Sequence, residues 1–394
     1  MDATVDLPTK AGAASAAVLS MALCVAVLIA SEFLPVSLLT PIAQDLSVTE
    51  GHAGQAISVS GLFAVITSLT IAGATRNVDR KKVQSLLTAL LSVSALIVTF
   101  APNFTVLMLG RALLGVAIGG FWSMSTAIVM RLLPASEVPR GLAALNAGNA
   151  VAATIAAPLG NWLGDLIGWR GAFFLIVPLA LLALVWQWIA MPPLPASGVQ
   201  KEQKPLCLLA RPSVAAGMAA IFLLFMGQFA LFTYLRPFLE GVAGFTVPQL
   251  SLCLLLIGLA GIAGTWVISR LLRVWLYALL IGIPLTMAAI AALLLGLAAN
   301  PVAIMGLLFL WGFFATAAPV GWGTWLARSL HRDAEAGGGL QVAVIQLAIM
   351  AGAAVGGLVF DARGWQVSFG MAASLLLTAA LAAGLAWKCQ EVPE

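Results

Sequence analysis

Glu32 and Arg111 are ionisable residues set inside long apolar runs, where proton chemistry could occur. Glu32 follows the stretch Met21–Ala30 and precedes Pro41 by nine residues, so on a helix it lies roughly 14 Å from the end near Pro41. A carboxylate in apolar surroundings is costly, which makes Glu32 a candidate proton carrier. The other reading is an acid that lines a wet cavity or ties helices together. Arg111 should lie roughly 10 Å deep on another helix, at a depth similar to that of Glu32. Its guanidinium keeps its charge and needs a partner or water. Glu32 is one candidate partner, so that movement of a helix would switch the proton on or off. A fixed ion pair or a clamp of backbone carbonyls is the alternative.

The other polar residues of the apolar runs are mild. Asn146 and Asn149 share a helix face; Gln228, Thr233 and Tyr234 fall in one run and Gln341 and Gln346 in another. Trp122, Trp322 and Trp325 add flat rings. Amides and rings together suit a neutral ligand bearing hydroxyls or a planar base, and the same groups serve equally as interhelical ties or interface anchors. Glycines four apart, at Gly115/Gly119, Gly160/Gly164 and Gly352/Gly356, permit close helix approach, and Gly258, Gly261 and Gly264 share a run. Pro158 removes a backbone donor and should kink its helix. His52 and His331 fall in loops on opposite sides, so no shared metal site is expected. No Gly-rich loop ending in Gly-Lys-Ser/Thr occurs, so no nucleotide drive and no cofactor is expected, and an ion gradient is the default energy source.

These residues need elements to hold them, and composition says what those are. Of 394 residues, 62% are hydrophobic and 9% charged, with a mean hydropathy of +1.06. A soluble domain carries about 25% charged residues, so lipid must be the solvent of this surface. The net charge of +4 comes from dispersed Lys and Arg, which fits membrane topology better than nucleic-acid binding. Four cysteines show no pairing pattern. The first apolar run has no cleavage signature and is expected to remain as a helix.

Apolar runs and breakers predict twelve spans at 16–41, 54–75, 83–101, 105–133, 141–165, 170–190, 213–240, 248–270, 274–298, 301–328, 337–362 and 365–388. Alternate loops divide the nineteen Lys and Arg residues into fifteen on one side and three on the other, with Arg111 inside a helix. The richer side should be cytoplasmic, with both termini there. The chain also repeats: Gly160, Asp165, Gly168 and Trp169 recur as Gly356, Asp361, Gly364 and Trp365, each 196 residues later. The expected fold is an all-α membrane protein of two pseudo-symmetric six-helix bundles, 1–191 and 213–394, joined by a cytoplasmic linker over 192–212. Two such halves can rock about a central site.

At the level of motifs the chain resembles the drug:proton antiporter group of the major facilitator superfamily over essentially its whole length. The segments carrying the resemblance are Glu32 to Pro41, Gly110-Arg111 through Phe121-Trp122, Gly227-Gln228 through Tyr234-Leu235-Arg236-Pro237, Pro319 through Trp325, and Gln341 through Leu347. Within the group it is most similar to bacterial purine ribonucleoside efflux pumps, with sugar efflux transporters and arabinose-linked exporters nearby. Asp79-Arg80-Lys81-Lys82 resembles the gating motif between spans 2 and 3, with Thr75 in place of its leading glycine. Ala157-Pro158-Leu159-Gly160 resembles the antiporter motif of span 5, with Ala157 and Asn161 in place of glycines.

The resemblance implies a cavity between halves lined by spans 1, 4, 7 and 10, and a monomer in the bacterial inner membrane. It implies proton-coupled export of small polar molecules, purine ribonucleosides first. Glu32 and Arg111 would couple the proton. Trp122, Asn146, Asn149, Gln228, Thr233, Tyr234, Trp322, Trp325 and Gln346 would offer substrate contacts, and Asp79, Arg80, Pro158 and Gly160 would serve gating. Sugar or multidrug efflux by the same fold is the nearest rival. A membrane-embedded sensor is the rival from another class; an enzyme would need a reactive cluster that the chain lacks.

Overall fold

The computed structural model describes residues 7–134, 137–195, 205–330 and 334–389. Among the described residues the elements are all helical. The first half holds α1 (Leu7–Ser37), α2 (Leu39–Asp45), α3 (Glu50–Ala74), α4 (Arg80–Thr99), α5 (Phe104–Leu132), α6 (Val138–Phe174) and α7 (Ile176–Ala190). The second holds α8 (Pro212–Phe232), α9 (Leu235–Gly241), α10 (Val247–Gly296), α11 (Pro301–Ser329), α12 (Ala334–Arg363) and α13 (Trp365–Lys388). A short 3-10 turn, Pro205–Ala210, precedes α8; residues 196–204 of the expected linker lie outside the described residues.

Among the described residues eleven segments are long and apolar enough to cross a membrane, and one of them, Ala147–Ala190, is 44 residues long. At 1.5 Å per residue that run would measure roughly 66 Å, over twice the hydrocarbon thickness. It is broken at Gly168, whose φ of 74° is open to glycine at no steric cost. The run is therefore two crossings, which brings the total among the described residues to twelve. Gly364, its repeat partner, has φ 82° and separates α12 from α13 in the same way. The recurring Gly-Trp pair is thus the turn between the last two spans of each half. α10 also contains two crossings, divided at Trp275.

The first span of each half breaks near its end, and a repeated proline explains both breaks. α1 gives way to α2 at Leu38, and α8 to α9 at Thr233 and Tyr234. Pro41 and Pro237, 196 residues apart, each lack the N–H that would bond four residues back, to Ser37 and Thr233. The expected single spans 16–41 and 213–240 are therefore each a long helix followed by a short one.

Each half has its own apolar core. Glycines set the internal packing twice over. A Cβ on Gly160 would meet Leu34 and one on Gly356 would meet Ala230, contacts related by the same 196-residue step. Likewise Gly115 lies against the Ser60 carbonyl and Gly312 against the Ile257 carbonyl. Between halves, α3 runs along α12 and α6 along α10.

Candidate functional site

Arg111 on α5 is 1% exposed and is held by the helices around it. Its Nη1 donates to the Ser31 carbonyl at 2.7 Å, its Nε to the Ala56 carbonyl at 3.0 Å, and its Nη2 to the Glu32 carbonyl at 3.3 Å and the Ser60 hydroxyl at 3.1 Å. The Ser31 carbonyl is free because Pro35, four residues on, has no N–H to give it. The arrangement is the carbonyl clamp: Arg111 reaches the backbone of Glu32, and its hydrogen bonds bypass the carboxylate.

Glu32 is 6% exposed; its carboxyl lies in the field of the Arg111 charge and interacts with the Gln346 side chain on α12, in the other half. Its neighbour Phe33 stacks on Phe229 with ring centroids 6.0 Å apart and meets Phe232 edge-on at 6.4 Å. The acid therefore lies at the seam between halves, tied to one half through its backbone and to the other through its side chain.

From mid-span to the end of the bundle that carries Thr49, Val242 and Gly364, the seam is sealed. Asp361 on α12 accepts hydrogen bonds from the Gly51 N–H at 3.0 Å and from the Thr49 hydroxyl, so a carboxylate of the second half caps the N-terminus of α3 in the first. The Tyr234 hydroxyl is held within its own half by the Ala353 carbonyl at 2.7 Å and by stacking on Phe360, and it reaches the Gly51 carbonyl of the first half at 3.4 Å. Gly54 makes room for that hydroxyl: a Cβ there would stand 2.1 Å from it. Asn161 donates to the Val247 carbonyl at 3.1 Å and the Ser251 hydroxyl at 2.6 Å, joining α6 to α10. Arg236 donates to the Ser37 carbonyl that Pro41 leaves free, and pairs with Glu240 at 2.8 Å.

The residues predicted to touch a ligand divide by location. Trp122 and Asn149 are half-buried on α5 and α6. Gln228 on α8 is also half-buried, and its Oε1 is buried with no protein partner. The side chain of Asn146 lies outside the described residues. Tyr234 belongs to the seal, and Thr233 beside it is fully buried with its hydroxyl unpartnered. Trp322 and Trp325 are each 1% exposed, lie edge to face at 5.5 Å inside the second core, and Trp325 fills the space left by Gly217. Asp79 caps α4 by accepting the Lys81 N–H at 2.7 Å, and Arg80 donates to the Thr75 hydroxyl at 2.7 Å; both stay within the first half. Helical geometry runs through Pro158, and the break in α6 comes ten residues later at Gly168. Among the described residues no three His, Cys, Asp or Glu side chains gather as metal ligands would.

A family model described as Major Facilitator Superfamily matches residues 21–338. The chain belongs to the Major Facilitator Superfamily. It is thus a multi-pass membrane protein with the architecture of a transporter rather than that of an enzyme. It is 53% identical over 384 residues to the transcription regulatory protein OpdE of Pseudomonas aeruginosa, covering 96% of this chain and 95% of that one. It is 44% identical over 365 residues to the purine ribonucleoside efflux pump NepI of Escherichia coli strain K12, covering 93% and 92%. A solved bacterial homologue of the human lysosomal transporter Spinster, inward-facing and unoccupied, has the same fold, with a TM-score of 0.75 at 16% identity over 99% of this chain and 100% of that one.

Within this superfamily fold, the residues that sequence reasoning passed over are those of the seal: Thr49, Gly51, Asn161, Arg236 and Asp361. One signal was available. Asp165 and Asp361 recur in the repeat, yet Asp165 is exposed and the start of α10 is capped by its own Thr246 and Gln249. Only tertiary placement tells the two aspartates apart.

Proposed function

We propose that this superfamily member is a proton-coupled exporter of small polar molecules, with purine ribonucleosides as the first substrate class. The observation that carries the reading is the placement of Glu32: a buried acid at the seam, facing Gln346 of the other half, in a seam sealed towards one end. Rocking of the halves would part Glu32 from Gln346 and open the acid to the other side. The fifteen-to-three division of Lys and Arg supports a sealed end that faces outside and termini in the cytoplasm of a bacterial inner membrane. The bundles 1–191 and 213–394 would move as two bodies about the 192–212 linker, in a monomer.

Trp122, Asn149 and Gln228, with Asn146 from the sequence, then offer a ring and amides to a planar, hydroxylated ligand. The unpartnered Gln228 Oε1 is a ready acceptor. The name of the NepI relative points to the same substrate class. Counterflow of labelled inosine into proteoliposomes, with and without an imposed pH gradient, tests this. Saturable, gradient-dependent flux is expected; flux of sugars or hydrophobic drugs in its place would move the substrate class.

The name of the OpdE relative favours a second reading, a membrane sensor that transports nothing. That reading requires ligand binding without saturable flux of nucleosides, sugars or drugs in the same vesicles.

A further inference from the structure

The sealed end carries more negative charge than its hydrogen bonds use. Glu50, half-buried in the first turn of α3, accepts from the Thr40 hydroxyl of α2 at 3.0 Å, so its carboxyl is held against its own half. Its two chain neighbours reach across the seam: the Thr49 hydroxyl and the Gly51 N–H both donate to Asp361 on α12. An acid of the second half is thus docked beside Glu50. From α9, Arg236 donates to the Ser37 carbonyl, one turn before Thr40, and pairs with Glu240 at 2.8 Å. The charges that act on Glu50 are those of Glu240, Asp361 and Arg236, all from the second half. Nearby Asp45 is taken up by Arg170 and by the Trp169 N–H at 3.2 Å, and the His52 ring lies against Phe104 at 4.3 Å.

These carboxylates differ in what their charge does. That of Asp361 strengthens the hydrogen bonds it accepts at the N-terminus of α3, and that of Glu240 neutralises Arg236. An ionised Glu50 adds a like charge facing both acids of the other half, with the one guanidinium already paired. The dipole of α3 favours an ionised Glu50 whether the halves are together or apart, so it does not choose between the two arrangements. Parting the halves removes Glu240 and Asp361 from Glu50 and leaves Thr40 in place. A proton on Glu50 therefore favours the closed end, and its loss favours the open one.

We propose that Glu50 is the proton site of a latch: it takes a proton from the adjoining solution as the two halves close over this end, and gives it up as they part. In an exporter that exchanges protons inward this is the useful direction, because a proton arriving from outside promotes the turn away from outside. Placing the latch on the outer face rests on the orientation proposed above. The latch itself does not, and it is separate from Glu32 and Arg111.

The test reads the width of this end by double electron–electron resonance on the full-length protein in detergent. Spin labels enter through Phe100→Cys and Leu297→Cys, exposed positions just after the third span of each half, with the exposed Cys207 and Cys389 replaced by serine. Between about pH 8 and about pH 5 the ratio of closed to open populations should rise about five-fold, as relief of like-charge contacts at partly exposed positions implies. Glu50→Gln keeps the contact with Thr40 and should hold the ratio near its acidic value throughout. Glu32→Gln should leave the response to Glu50→Gln in place, which separates the latch from the buried acid. Three results would overturn the proposal: no pH response in the parent, a response that survives Glu50→Gln and so points to Glu32 or His52, or an end that widens at low pH and so points to Asp361. If Glu50→Gln does not fold, Glu240→Gln stands in its place. It frees Arg236 to attract an ionised Glu50, so the pH response should shrink, and an unchanged response would count against the latch equally.

Discussion

Arg111 completes the hydrogen bond that Pro35 takes away from α1: it donates at 2.7 Å to the Ser31 carbonyl, whose helical donor would have been the missing N–H of residue 35. Arg236 does the same at Ser37, which Pro41 leaves free. The two prolines thus make docking points for cations along the first span. A guanidinium suits this role because it keeps its charge and presents several donors in a rigid plane.

Arg111→Ala should leave the buried Ser31 carbonyl with no donor and cost about 1–3 kcal/mol for that unsatisfied group. Pro35→Ala restores a helical N–H opposite Ser31. In the Arg111→Ala background it should therefore recover about 1 kcal/mol, measured as a double-mutant coupling in chemical unfolding of the purified protein. A purely additive cycle would mean that the proline and the arginine do not share this carbonyl.

Glu32→Gln keeps the size of the side chain and a polar contact with Gln346 but cannot carry a proton. The expected outcome is loss of pH-gradient-driven flux with substrate affinity within about two-fold of the parent protein, consistent with removal of a coupling group and not of a ligand contact. Acid-driven flux that persisted in this variant would take Glu32 out of the mechanism.

Asp361→Ala removes the cap that the second half places on α3. A helix N-cap is worth about 1–2 kcal/mol, so the sealed arrangement should lose five- to thirty-fold in population. With the exposed Cys207 and Cys389 replaced by serine, a cysteine introduced at half-buried Gln55 should react correspondingly faster with a soluble maleimide. Gly54→Ala should act in the same direction, because its added methyl would collide with the Tyr234 hydroxyl.

Tyr234→Phe and Trp122→Ala should separate sealing from ligand contact. The first removes the hydroxyl that reaches the Gly51 carbonyl across the seam, a contact worth about 1 kcal/mol, and should raise reactivity at residue 55 while leaving substrate affinity unchanged. The second removes a half-buried ring and should weaken binding about ten-fold, as deletion of 1–2 kcal/mol of ring contact implies. Binding is read by thermal shift with a panel of nucleosides. The reverse pattern would place the ligand at Tyr234.

Composition and breakers were enough for the architecture, because a bilayer admits few solutions. Every backbone polar group must be bonded within the span, so apolar runs of sufficient length become helices whatever their neighbours are. The repeat likewise exposed its own cause once Gly168 and Gly364 were seen at positive φ. Roles were less legible. Tyr234, Trp322 and Trp325 look like ligand contacts by type, yet one closes the seal and two fill a core. Periodicity places a side chain on a face but does not say which helix that face meets.

What the chain determined by itself was the number of spans, their pairing into two halves, and the two ionisable residues buried among them; burial of apolar surface and the cost of unpaired polar groups act locally and leave their mark in local sequence. Tertiary structure alone decided that Arg111 bonds backbone carbonyls, that Gln346 of the other half comes to the Glu32 side chain, and that Asp361 seals one end while its twin Asp165 does not. Those outcomes depend on which helices lie side by side across the seam, and contacts between residues some 300 positions apart, such as Gly51 and Asp361, have no local signature.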